Sequence, residues 1–239
     1  MSETVVQIVR RVLLPVTLLL GVMVLLGVLV TRVLDRTWPF TVEDGINREL
    51  AAGRTGGWND VSLVFSTLAS TQLIVVVTVL VALALRLWLH RWREPLFLCA
   101  AVTAQALVFL LTTMAIDRQR PAVEHMDVSP PTSSFPSGHT SAAVALYVGI
   151  AVLLALRSRR TGAKVAWWTL LLVVPLGVAL TRMYRGMHHP SDVVASFLNG
   201  GTCVAIMARS VLDRGVRWGR AKLPTVRRPA DGPTAATAR

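Results

Sequence analysis

Residues 12–30 read VLLPVTLLLGVMVLLGVLV, without a single charged side chain, and this stretch decides the class of fold. A helix of that length rises about 28 Å, close to the hydrocarbon thickness of about 30 Å in a bilayer. No water is available at that depth, so every backbone N–H and C=O must be paired within the segment, and a helix does this. Arg10 and Arg11 stand before the run, as a basic region stands before a secretory signal. The run is longer than the roughly 7–15 residues of a signal core, and Thr31-Arg32-Val33-Leu34 offers no small-residue cleavage site. Residues 12–34 are therefore read as an uncleaved membrane helix.

Five further apolar segments follow, at 61–89, 95–116, 139–156, 165–182 and 190–212. Each can cross a bilayer as a helix. The expected fold is all-α, a polytopic membrane helical bundle with six transmembrane helices within residues 1–221. Residues 222–239 are rich in Pro, Ala, Thr and Arg and lack apolar periodicity, so they are read as a disordered basic cytoplasmic tail. Bulk composition agrees: 53% of the 239 residues are hydrophobic and 16% charged, whereas a soluble domain carries about 25% charged residues. Cys99 and Cys203 both fall in apolar runs and read as packing residues, with neither metal-ligand nor disulfide-framework spacing.

The formal net charge of +12 raises nucleic acid as a partner, but its distribution argues for membrane lipids instead. Basic residues sit between the apolar runs, at Arg10 and Arg11, at Arg86, Arg91 and Arg93, at Arg157 to Lys164, and in the tail. That is the pattern of loops retained in the cytoplasm against anionic lipid. No aromatic-interleaved basic patch accompanies it, so no nucleic-acid partner is expected. An even number of spans puts both termini on one side, the positive-inside bias makes that side the cytoplasm, and the loops 35–60, 117–138 and 184–189 then face outward. In the first of these, 42–52 reads either as a short amphipathic helix at the interface or as a solvated loop. Six tryptophans, Trp38, Trp58, Trp88, Trp92, Trp167 and Trp168, fall near the expected span ends as interfacial anchors.

The polar residues of interest gather in the outward loops. Pro136-Ser137-Gly138-His139 immediately precedes the fourth span. Amides exposed at a helix N-terminus, behind a glycine that admits an anion closely, make a phosphate site; the same tetrapeptide also reads as an ordinary helix cap. Arg120-Pro121 follows the third span, with Arg118 two residues earlier. A guanidinium offers paired donors matched to phosphate oxygens, although an interfacial arginine that snorkels is the simpler reading of either residue alone. Around the last outer loop stand Thr181-Arg182, His188 and Asp192. The four-residue offset allows the Asp192 carboxylate to hold Nδ1–H of His188, leaving Nε2 unprotonated. A capping aspartate beside an interfacial histidine is the alternative. Ionisable groups near a bilayer are costly, so such a convergent set reads as a functional site.

In order, Thr113…Arg120-Pro121, Pro136-Ser137-Gly138-His139 and Thr181-Arg182…His188…Asp192 resemble the signature of the type 2 phosphatidic acid phosphatase family, related to the vanadium haloperoxidases. The resemblance runs from the third span to the sixth. It implies a membrane lipid phosphatase in which His188 attacks phosphorus to form a phosphohistidine, oriented by Asp192. It further implies His139 as general acid and then base, with Arg120, Arg182, Ser137 and the Gly138 amide holding the phosphoryl charge. No cofactor and no metal are expected; the partners are a lipid phosphate substrate and membrane lipids. Thr181 stands where the family has serine, and Thr113 where it has lysine. Arg118 is the candidate to supply the missing cation and is carried as a phosphate-binding residue. His189 is read as a neighbour of the nucleophile, and Glu124, His125 and Asp127 as outer-loop groups, either solvated or in contact with lipid headgroups. Thr113 also motivates a second reading, a non-catalytic lipid-phosphate-binding protein. A transporter is disfavoured because no pair of interrupted helices is visible.

Overall fold

The computed structural model describes residues 3–128 and 131–213, so the tail expected at 222–239 lies outside the described residues. Among the described residues, six helices are long and apolar enough to cross a membrane. They are α1 (Thr4–Val33), α4 (Thr71–Leu89), α5 (Arg93–Ala115), α6 (Gly138–Arg157), α7 (Thr161–Tyr184) and α8 (Pro190–Leu212). Two shorter helices, α2 (Glu43–Ala52) and α3 (Gly56–Leu68), fill the connection between α1 and α4. The protein is thus an all-α integral membrane bundle, as its hydropathy implies.

One expected span needs correction. Residues 61–89 do not form a single helix: α3 stops at Leu68 and α4 starts at Thr71. Ser70 is the reason on the chain, because it takes an extended conformation and its hydroxyl accepts from the Leu73 amide at 3.4 Å. That is an N-cap, which begins a new helix rather than continuing the old one. The segment ahead of it carries Ser62 and Ser66, one turn apart, and packs them against α7. The expected helix at 42–52 is present as α2, but it docks on the bundle, with Glu43 and Asn47 buried.

α5 runs through the middle of the bundle, packed on α1, α4 and α8. Its Phe97, Leu98 and Ala101 are wholly buried. Leu18, Leu80, Leu170 and Val194 point outward instead, as side chains facing acyl tails should. Lipid tails are as apolar as leucine, so close packing and hydrogen bonds hold the helices together more than apolar burial does. Gly200 on α8 shows the consequence. A Cβ there would lie 2.6 Å from the Ser141 carbonyl oxygen and 2.7 Å from Val144 Cβ on α6. Backbone cannot yield as a side-chain tip can, so Gly200→Val is expected to destabilise the bundle by about 1–3 kcal/mol. Gly201→Ala, which meets nothing within 4 Å, serves as the control. Thermal unfolding in detergent measures both, and equal midpoints would show that this contact does not matter.

The two ends of the bundle differ. At one end Arg93 donates to the carbonyls of Val211 and Asp213, Arg157 and Arg91 pair with Glu94, and Ser210 donates to the Arg11 carbonyl. This end carries the start of α1 and the end of α8. The opposite end carries α2, α3 and the 117–137 and 185–189 connections, and every candidate site residue.

Candidate active site

The site is organised around the turn from α7 to α8. Gly186 adopts φ +74°, a conformation L side chains rarely adopt. A Cβ there would also lie 2.8 Å from Val123 Cγ2 and 2.9 Å from the Glu124 carbonyl oxygen. Glycine therefore lets the 117–137 connection close down on this turn, and Met126 N–H donates to the Arg185 carbonyl across it. Asn47 of α2 braces the same turn from the other side, donating to the carbonyls of His188 at 3.1 Å and Met183 at 3.3 Å.

Asp192 lies in the first turn of α8 and is fully buried. Its Oδ2 accepts from the Ser134 hydroxyl at 2.5 Å and the His189 amide at 2.8 Å, and its Oδ1 accepts from Arg118. The carboxylate is consequently committed before His188 is considered. The expected hydrogen bond from His188 to Asp192 is not what the structure shows. Nδ1 of His188 lies 3.8 Å from Asp192 Oδ2 and 2.7 Å from the Ser134 carbonyl oxygen. A carbonyl only accepts, so Nδ1 carries the hydrogen and Nε2 keeps its lone pair. The tautomer expected from the sequence is thus fixed by a main-chain group from the 117–137 connection. Burial holds the His188 pKa below the usual imidazole value, opposed by the nearby Asp192 carboxylate, and the ring is neutral at neutral pH.

His188 lines a cavity of ≈ 710 Å³ together with Arg120, Gly138, His139 and Arg182. Ile74 and Val75 of α4 and Val102, Ala106, Phe109 and Leu110 of α5 also line it, with Thr71 and Gln105 of the same helices among them. Arg120 donates from Nη1 to the Met187 carbonyl at 2.7 Å. Arg182 uses Nη1 for the Ser66 hydroxyl and Asp127, at 2.8 and 2.6 Å, while its buried Nε has no hydrogen-bond partner. A buried guanidinium donor without a protein partner is costly, and phosphate oxygens are matched to such a donor.

Ser137 is placed elsewhere than expected. Its hydroxyl contacts Thr140 and caps α6, and its amide donates to the Ser196 hydroxyl at 2.8 Å, so both groups are engaged inside the protein. Arg118 is a second correction. It lines a separate cavity of ≈ 260 Å³ with Glu43, Asp44 and His189. Nη2 donates to Glu43 at 2.7 Å, and Nη1 to the Ser191 hydroxyl and Asp192. Two carboxylates pair with it, and it is not among the residues that line the cavity of His188. Thr113 itself is buried, with its hydroxyl 3.4 Å from the Ser133 carbonyl oxygen.

Asp127 is the third correction, because it is no solvated loop group. Arg185 binds it through Nε at 3.0 Å and Nη2 at 2.6 Å, and Arg182 binds it from the other side. Burial by itself would raise its pKa; the Arg185 hydrogen bonds and the charges of Arg182 and Arg185 outweigh that and lower it. Arg185, Ser62, Ser66, Ser134, Asn47 and Glu43 are likewise residues that no motif named. Only the serines left a trace, as a 62/66 pair at helical spacing within an apolar run. Among the described residues no group of three or more His, Cys, Asp or Glu side chains is placed to hold a metal ion.

The structure is similar to that of the first transmembrane PAP2 type phosphatidylglycerolphosphate phosphatase from Bacillus subtilis, with 20% identity and a TM-score of 0.72 over 86% of this chain and 98% of that one. It is also similar to LpxE from Aquifex aeolicus, with 20% identity and a TM-score of 0.56 over 72% of this chain and 98% of that one. At such identity the likeness establishes the fold. No curated protein matches the sequence. The family model of the PAP2 superfamily matches residues 94–215, just over half of the chain and the part that contains Arg120, His139, Arg182, His188 and Asp192, and the chain therefore belongs to the PAP2 superfamily.

Proposed function

We propose that the protein hydrolyses a lipid phosphate, either a phosphomonoester or a pyrophosphate, through a phosphohistidine on His188. The observation that carries this reading is the pairing, in one cavity, of an imidazole with its Nε2 lone pair retained and a guanidinium with an unpaired Nε. The apolar side chains of α4 and α5 that line the same cavity suit the chain of a lipid. Phosphatidate, phosphatidylglycerol phosphate and polyprenyl pyrophosphate are the candidate substrates.

In the first step His188 Nε2 attacks phosphorus, the bond from phosphorus to the lipid oxygen breaks, and protonated His139 gives its proton to that oxygen. In the second step His139 takes a proton from water, the hydroxide attacks phosphorus, and the P–N bond breaks to return neutral His188. Arg120 and Arg182 balance the charge on the equatorial oxygens in both steps, so the chemistry calls on no metal. Asp192 acts indirectly, by fixing Ser134 and the His189 amide around the nucleophile. The Arg-rich end of the bundle belongs in the cytoplasm by the positive-inside bias, which puts this cavity at the outer leaflet.

The test is phosphate release from a panel of these lipids by the purified protein in the presence of a chelator. Release from at least one of them is expected. Tight binding of a lipid phosphate with neither turnover nor a trapped phosphohistidine would favour instead the non-catalytic binding protein that Thr113 motivates.

A further inference from the structure

We infer that Asn47 is a positioning residue for the nucleophile: from a short helix outside the membrane spans it fixes the main chain of His188, and through it the direction of the ring. The inference rests on the phosphatase reading and adds to it a residue that acts through His188 rather than on the substrate.

His188 is held at two places. The Ser134 carbonyl holds its ring, accepting from Nδ1 at 2.7 Å. Asn47 holds its main chain, because Nδ2 donates to the His188 carbonyl at 3.1 Å and to the Met183 carbonyl at 3.3 Å. Met183 belongs to the last turn of α7, and His188 stands just before α8 opens at Pro190. One amide group therefore spans the turn and sets the distance between its two ends. The orientation of that amide follows from its partners, since an oxygen in the place of Nδ2 would face two acceptors.

Asn47 is wholly buried, and its Oδ1 has no hydrogen-bond partner among the described residues. An unpaired buried acceptor lowers stability, so what this side chain supplies is its two donors. Its neighbours have other tasks. Glu43, one turn earlier, accepts from the Ser191 amide at 2.7 Å and hydroxyl at 3.0 Å. Arg54, just past the end of α2, donates to the carbonyls of Tyr184 at 3.2 Å and Glu124 at 2.9 Å. These two dock the helix, and of the three Asn47 is the one that reaches His188. Without it the ring stays tied to Ser134 while the main chain is free to turn, and Nε2 loses a fixed line to phosphorus. A misplacement of about 1 Å costs on the order of a hundredfold in rate.

The experiment follows phosphohistidine formation in single turnovers by the full chain in detergent, with phosphatidate, phosphatidylglycerol phosphate and polyprenyl pyrophosphate each as the probe. Asn47→Ala removes both donors, and Asn47→Asp keeps the shape but presents an acceptor to the two carbonyls. Each is expected to lower the rate constant about a hundredfold on every lipid the wild type turns over, with KM unchanged within about twofold. An asparagine that served the fold alone would reduce the amount of active protein, hence the amplitude, and leave the rate constant as it was. Arg54→Gln is the control: it loosens the same helix and is expected to lower the thermal midpoint but not the rate constant. Where Asn47→Asp does not fold, Asn47→Ala decides. An unchanged rate constant in the Asn47 variants, or an equal fall in Arg54→Gln, overturns the positioning role and leaves the phosphatase reading standing. No phosphate release from any of the lipids by the wild type overturns both.

Discussion

His188→Asn is expected to abolish phosphate release, by roughly a thousandfold or more, while leaving the fold intact. The carboxamide of asparagine can still donate to the Ser134 carbonyl, which accepts from His188 Nδ1 at 2.7 Å, but it offers phosphorus no nucleophile. Phosphohistidine trapped on denaturation should disappear with it, and the thermal midpoint should hold. Retained turnover would end the assignment of the nucleophile. The same residue governs the acid side of the pH profile. Burial lowers the His188 pKa, so the neutral, reactive ring persists as pH falls below the usual imidazole value of about 6.5 and is lost only through the lowered one. The acid limb of kcat/KM should accordingly lie below the range of an exposed histidine.

Asp192→Ala is expected to have the second-largest effect, and to act on stability as well as on rate. The carboxylate is fully buried and joins Ser134, the His189 amide and Arg118. Its removal strands the Arg118 guanidinium, whose side chain is 11% exposed, with Glu43 as its one remaining carboxylate. Breaking a buried pair in this way costs about 3–5 kcal/mol. Ser134 would also lose the anchor for the carbonyl that holds His188, so activity should fall with the midpoint. Asp192→Asn keeps the shape and some of the hydrogen bonds and should lose less of both. An unchanged midpoint in Asp192→Ala, with activity gone, would mean that the carboxylate acts on His188 alone and is no hub of the packing.

The three motifs came from residues whose chemistry is visible one position at a time: paired guanidinium donors, a glycine before a helix, an imidazole four residues from a carboxylate. The structure brings Arg120, Gly138, His139, Arg182 and His188 to one cavity from those stretches. What the motifs left out are the partners that decide how each group is used. Arg118 looked like a spare cation because Glu43, its neutraliser, lies 75 residues away in a loop that reads as interfacial or solvated. Asp127 looked solvated because its arginines lie 55 and 58 residues along the chain. The Asp192 spacing suggested the wrong acceptor for His188, because the backbone carbonyl that takes the proton leaves no mark on residue identity.

By itself, the sequence determined the membrane bundle, its six spans and the position of the motifs along them. Hydropathy and helix length are local properties, summed over some twenty neighbouring residues, and nothing distant can reverse them. The tertiary structure alone decided which arginine faces the cavity, which is spent on a carboxylate, and where the second apolar run breaks at Ser70. Those outcomes depend on the rotation of each helix about its axis and on contacts between residues far apart in the chain. Hydrogen bonds are sensitive to a few tenths of an ångström, and no run of consecutive residues encodes distances that fine.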